Sequence, residues 1–248
     1  MIFELTEPSK AAPVFEGWED MPVDVFACLD NVMGKVFADD TEHPKSAMAM
    51  VGDFVYLAGK PNLELVCAKP DRWMIVVPQN EAWEDLLENN FSAYKMIRYA
   101  IRKDTRFDRE MLEAMANALP DGYTFRRIDE ELYDICLNDE EFEEAVSAFE
   151  SKEKYLEHGI GFAVMKDSKI VAVASSYTRY KKGIDIDIDA AKEERQKGLG
   201  SAVAAKLILE CLDEGLYPGW DAASKMSVRL AEKLGYELSR EYVCYNMK

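Results

Sequence analysis

The residues able to do chemistry lie in two adjoining stretches. The run I-D-I-D-I-D (184–189) sets Asp185, Asp187 and Asp189 on one side and Ile184, Ile186 and Ile188 on the other. That alternation is the signature of a strand with one apolar and one polar face. Neighbouring carboxylates repel, so one of them keeps its proton to higher pH and becomes usable as a base near neutrality. The plain alternative is that Asp185 and Asp187 merely line a solvated strand face. Directly after this run comes the charged loop R-Q-K-G-L-G-S (195–201), and an apolar-periodic helix is expected from Leu199 to Leu212. Strand, glycine-bearing loop and helix start, in that order, build an anion site. The first amides of a helix have no intrahelical partner, and its dipole favours negative charge there. Glycine keeps side chains away, so a phosphate can reach the main chain.

Other motif readings fail on spacing. G-L-G-S-A-V lacks the third glycine of a dinucleotide loop and lies too far past its strand, and no G-x-x-x-x-G-K-S/T exists for a triphosphate. His43 and His158 are the only histidines, with no C-x-x-C or H-x-x-x-H, so no metal is expected. His43 reads as a surface-loop residue. The five cysteines are scattered and odd in number, which fits reduced thiols in a cytoplasm. Cys136, Cys211 and Cys244 fall in apolar-patterned elements and read as packing.

The elements that must position these residues belong to a chain of 248 residues, 48% hydrophobic and 31% charged, enough for one large or two modest domains. There is no apolar run of membrane-spanning length and no secretory leader, so no membrane partner is expected. Thirty basic against 47 acidic residues give a formal charge of −17, which repels nucleic acid and anionic lipid and attracts cationic ligands. Helical spacing is read from Met21 to Ala38, strands at 51–59, Leu63 to Ala68 and Trp73 to Val77, and helices after Asn80, over Ser92 to Arg102 and after Asp108. The turn P-D-G (120–122) divides an amino-terminal α/β part, 1–120, from a carboxy-terminal part, 121–248. Beyond it come a strand from Tyr123, helices at Glu130 to Cys136 and Glu140 to Phe149, and a hairpin, Gly161 to Met165 with Ile170 to Tyr177. The aspartate-bearing strand and the long helix follow. A short strand from Tyr217, a Ser224-capped helix stopped by Gly235, and closing strands end the chain.

In that setting the second half, Tyr123 to Lys248, resembles a GNAT-type acyl-CoA N-acyltransferase. R-Q-K-G-L-G (195–200) fits the family's Q/R-x-x-G-x-G/A pyrophosphate loop, and the element order around it agrees. Ser224, Ser227 and L-A-E-K-L-G-Y (230–236) resemble the family's N-x-x-S/A…G-F/Y segment. The wording near Trp220 is similar to the branch that includes zwittermicin-type resistance acetyltransferases. The resemblance implies an α/β fold: a mixed, mostly antiparallel twisted sheet flanked by helices. The amino-terminal half is either a degenerate copy of it or an unrelated cap. It also implies acetyl-CoA as co-substrate, with Ile188, Asp189 and Ala190 pairing with the pantetheine arm. Amides from Gln196 through Lys197, Gly198, Leu199, Gly200 and Ser201 would hold the pyrophosphate, and Arg195 and Lys197 would add positive charge.

Asp187 takes the base role because the family often puts an acid there. Two positions depart from the pattern. Ser224 replaces a common asparagine, which weakens its expected pantetheine contact, and Ala231 stands where many members place a tyrosine acid, leaving Tyr242, Tyr245 or water to substitute. The expected reaction moves an acetyl group to a primary amine of a small, cationic acceptor in a ternary complex. The competing expectation is a non-catalytic acyl-CoA-binding protein. Neither the acceptor nor the choice between monomer and homodimer is legible.

Overall fold

The computed structural model describes Met1–Lys248. Its first part runs β1 (Phe3–Glu4), α1 (Ala12–Phe15), α2 (Val23–Leu29), β2 (Lys35–Ala38), β3 (Ser46–Val51), β4 (Phe54–Gly59), α3 (Leu63–Cys67), β5 (Met74–Pro78), α4 (Glu81–Asn90), β6 (Tyr94–Ile101) and α5 (Arg109–Ala116). The chain continues through β7 (Tyr123–Arg127), α6 (Glu130–Leu137), α7 (Glu144–Ser147), α8 (Lys152–His158), β8 (Gly161–Lys166), β9 (Lys169–Tyr180) and β10 (Gly183–Ala190). It ends with α9 (Leu199–Asp213), β11 (Tyr217–Gly219), β12 (Asp221–Ala222), α10 (Lys225–Lys233) and β13 (Leu238–Met247).

Two sheets form, in the orders β1-β2-β3-β4-β5-β13-β6-β12 and β11-β10-β9-β8-β7. Only β4–β5 and β10–β11 are parallel; every other pairing is antiparallel, as expected for this fold class. The sheet order repeats about the central antiparallel pair β13–β6. On one side lie β5 and its parallel neighbour β4; on the other lie β12, the adjoining β11 and its parallel neighbour β10. The terminal strand of each half therefore sits between elements of the other. β13 inserts between β5 and β6, and β6 between β13 and β12.

Helix α9 is the packing centre of the second half. Leu199, Val203, Leu207 and Ile208 bury against β8, β9 and β10 in one core with Ile184 and Ile186, which fixes the other strand face toward solvent or cleft. Asn80, Asp108 and Ser224 cap α4, α5 and α10 as read from sequence, each accepting a hydrogen bond from a first-turn amide.

Four expected elements differ. The helix from Met21 to Ala38 stops at Leu29, because Asn31 and Gly34 take positive φ and turn the chain into β2. Leu63–Cys67 is helical, not extended, since the Asn62 side chain accepts from the Glu64 amide. The segment around Ser92 to Arg102 is strand β6, held between β13 and β12. Only Glu144–Ser147 of the 140–149 segment is α-helical.

Candidate active site

Strand β10 pairs with β11 through Gly183, Ile184 and Asp185 only. At Trp220 the chain leaves that sheet, and β12 joins β6 in the other. Beyond Asp185 the edge of β10 has lost its neighbour, and a bulge toward β9 lies at the same place, between Asp185 and Ile186. The Ala191 amide bonds toward β9, to the Val171 carbonyl. Alternation then turns the Ile186, Ile188 and Ala190 amides to the open edge. An extended chain laid there would meet main-chain groups that have no neighbouring strand.

At the far end of this edge α9 begins. Gly198, at φ 82°, is its N-cap and supplies no side-chain cap. The first engaged amide is that of Ala202, bonded to the Gly198 carbonyl at 3.0 Å; those of Leu199, Gly200 and Ser201 have no partner. A Cβ on Gly198 would meet nothing within 4 Å, and one on Gly200 only Ile188 Cγ2 at 3.9 Å. Packing does not explain the second glycine. It borders open space, part of a cleft of about 1840 Å³ between the two halves.

Most of the residues singled out from sequence line this cleft: Asp187, Ile188, Asp189, Ala190, Arg195, Gln196, Gly198, Leu199, Gly200, Ser201 and Ser224. Lys197 is the exception. It is off the cleft wall, and its ammonium pairs with Glu194 at 2.6 Å, alongside the Tyr123 hydroxyl and Lys166. Those three partners hold the Glu194 carboxyl down at about 2. The Lys197 side chain therefore braces the loop. Arg195 binds the Ala190 carbonyl at 3.2 Å through Nε, tying the loop to the end of β10.

Asp187, Asp189 and Glu144 bring carboxylate oxygens within 4.8 Å of one another on the cleft wall. Burial, then the charges of Asp189 and Glu144, push the Asp187 carboxyl up to about 8. Asp187 Oδ2 is buried without a hydrogen-bond partner. Such a group accepts a proton near neutral pH. It also couples folding to pH. From its ordinary value, roughly 4, up to about 8, the folded chain holds a proton that the unfolded chain has released, so stability falls as pH rises through that window. We predict that Asp187→Asn melts higher than the parent at pH 9 and nearly with it at pH 4; a melting difference independent of pH would contradict the burial argument. Asp185 is no solvated-face residue either: it is 7% exposed, and Oδ1 has no partner.

With this geometry established, the chain can be set beside known proteins. The family model described as GNAT acetyltransferase matches residues 12–245, nearly the whole length. The chain belongs to the GNAT acetyltransferase family. Membership makes it an N-acetyltransferase. It is similar to a crystal structure of a GCN5-related N-acetyltransferase-like protein from Streptococcus suis 89/1591, at TM-score 0.91 and 38% identity over 98% of each chain. A curated relative, the uncharacterized N-acetyltransferase YdfB of Bacillus subtilis (strain 168), is 27% identical over 245 residues, 90% of each sequence. A GCN5-related N-acetyltransferase from Kribbella flavida shares the fold, at TM-score 0.54 and 15% identity, covering 82% of this chain and 86% of that one.

In this GNAT acetyltransferase several cleft residues escape sequence reasoning. Glu144 comes from α7, Tyr177 from β9, and Asp53, Phe54 and Arg98 from the first half. Arg98 Nε donates to Asp221 at 2.6 Å, and its guanidinium lies over the Phe54 ring at 4.9 Å. Neither tyrosine considered as a substitute acid lines the cleft. Tyr245 donates to Glu88 at 2.6 Å within the first-half core, and Tyr242 donates to Asp221. Ala231 is fully buried. Trp220 lines the cleft and donates to Ser227 Oγ at 3.1 Å.

Proposed function

We propose that this chain transfers an acetyl group from acetyl-CoA to a primary amine of a small cationic acceptor, by direct attack while both are bound. The observation that carries the reading is the row of unpartnered amides at the start of α9, opening on the unpaired edge of β10. The diphosphate binds the Leu199, Gly200 and Ser201 amides, Arg195 adds charge, and the pantetheine runs along Ile188, Asp189 and Ala190 toward Asp185. Asp187 accepts the amine proton, and an amide of the open edge donates to the carbonyl as it becomes an oxyanion. The acidic wall of Glu144, Asp187 and Asp189, in a chain of charge −17, favours a cationic acceptor. The free state of all five cysteines fits a cytoplasmic location.

The first half, 1–120, is in this reading a second copy that has lost its cofactor site. Its counterpart of α9 is the five-residue α3, and the end of β4 is closed: Gly59 donates to the Gln79 side chain at 2.9 Å and accepts from Trp83 Nε1 at 3.0 Å. Its remaining contribution is the opposite cleft wall.

The buried Ala231 favours a second reading, an acyl-CoA binder without turnover. Thiol release from acetyl-CoA, followed across a panel of mono-, di- and polyamines, separates the two. Amine-dependent release, strongest with acceptors carrying a second positive charge, is expected. Saturable acetyl-CoA binding with no release for any amine would leave the binder.

A further inference from the structure

Asp185 stands at the last residue pair before β10 and β11 part, at the inner end of the open edge and opposite the α9 terminus. It lines the main cleft and also a second, smaller cavity of about 90 Å³ between the halves, which Lys103, Asp24 and Tyr242 also border. The groups facing it are Asp24 on α2, Asp221 on β12, Arg98 on β6, Lys103 after β6, Tyr180 on β9 and Tyr236 after α10. The donors around it are directed elsewhere: the Lys103 ammonium donates to the Asp20 carbonyl at 3.0 Å and Tyr236 to the Pro218 carbonyl. Asp24 accepts from the Tyr56 and Thr178 hydroxyls, and Asp221 from Arg98 and Tyr242. Arg98 is thereby committed to Asp221.

Asp185 is left with no hydrogen bond in its buried setting. An ionised carboxylate there would be unsolvated and would face two other carboxylates, which outweigh Arg98 and Lys103, so the neutral acid is the stable form. Burial, followed by the charges of Asp24 and Asp221, acts in the same direction and raises its carboxyl well above the usual range. No hydrogen bond holds this carboxyl, and it borders both the cleft and the small cavity, into which its proton can be donated.

We propose that Asp185 is the general acid that protonates the departing CoA thiolate. The proposal rests on the acetyl transfer above. As the tetrahedral intermediate collapses, the C–S bond breaks, its electron pair goes to sulfur, and the Asp185 proton moves to that sulfur to give the thiol. The nitrogen, which has formed the new N–C bond, gives up its remaining surplus proton, directly or through water of the small cavity, to the Asp185 carboxylate and restores it. The proton first taken by Asp187 from the acceptor ammonium is released to solvent. One proton leaves per turnover, and the products are the amide and the free thiol.

The test follows kcat against pH with the best amine of the panel. The wild-type rate should rise as Asp187 ionises and fall at higher pH as Asp185 does. Asp185→Asn should lower kcat by about 10²-fold, remove the descending limb, and keep the wild-type acetyl-CoA affinity in a titration; Asp185→Glu should restore part of the rate. Tyr177→Phe, which removes a cleft hydroxyl that accepts from the Asp53 amide of the opposite wall, should keep the descending limb. A wild-type rate in Asp185→Asn, or a limb that survives in it or vanishes in Tyr177→Phe, overturns the proposal. Should Asp185→Asn fail to fold, a wild-type profile with no descending limb overturns it, and a limb retained in Tyr177→Phe supports it. An inactive wild type would instead refute the acetyl transfer itself.

Discussion

Asp187→Asn should lower kcat by about 10²- to 10⁴-fold, the range typical of a lost general base, and leave acetyl-CoA affinity as it was. The separation follows from position. The Asp187 side chain belongs to the carboxylate group with Glu144 and Asp189, whereas the proposed cofactor site is built from main-chain groups of β10 and the α9 start. Asparagine keeps the shape and cannot take a proton. In the wild type kcat/KM should fall as pH drops below about 8, because the carboxyl that must be ionised has been raised that far by burial and by Asp189 and Glu144. The variant loses that dependence along with the rate. Steady-state kinetics from pH 6 to 10 on both proteins reads the effect (the range spans roughly two units either side of the expected midpoint). Retained turnover with an unshifted profile would remove Asp187 from the base role.

Gly200→Asp has the other large effect, and it is on binding. A Cβ at 200 meets only Ile188 Cγ2 at 3.9 Å, so the fold accommodates it. A carboxylate in the first turn of a helix is locally favourable. The variant should therefore fold at least as well as the parent. Its carboxylate, however, occupies the space in front of the free amides and competes for them. Each hydrogen bond to a charged group is worth about 1.5–3 kcal/mol, so losing two costs roughly 3–6 kcal/mol, or about 10²- to 10⁴-fold in affinity. Gly198→Asp is a poorer probe, because φ 82° at that position strains any other residue. Calorimetric titration with acetyl-CoA, beside a melting curve, separates lost binding from lost fold.

The parts of this site that could be read from the sequence are those set by local chemistry. The alternation at 184–189, the glycines at 198 and 200, and the caps Asn80, Asp108 and Ser224 each act within a few residues of themselves. What stayed hidden is set by partners far along the chain. Tyr94–Ile101 is compatible with either helix or strand until β13 and β12 take its two edges. Leu63–Cys67 is a short apolar run that suits a strand as well as a helix, and only the Asn62 cap distinguishes it. Arg98, Asp53 and Phe54 reach the cleft because the halves exchange terminal strands, which no spacing in the first 120 residues announces. Asp185 and Asp187 look alike in sequence. The bulge and the departure of β11 separate them, leaving one buried between two cavities and the other within a carboxylate group.

The central claim is that a diphosphate is gripped by the unpartnered amides of Leu199, Gly200 and Ser201. It is tested most directly by titrating acetyl-CoA and acetyl-pantetheine, which lacks the diphosphate, into the wild type and Gly200→Asp. The predicted result is a large loss of acetyl-CoA affinity in the variant, with acetyl-pantetheine binding equally weakly to both proteins. Equal acetyl-CoA affinity in the two proteins, or a wild type that binds the two donors alike, would contradict the claim.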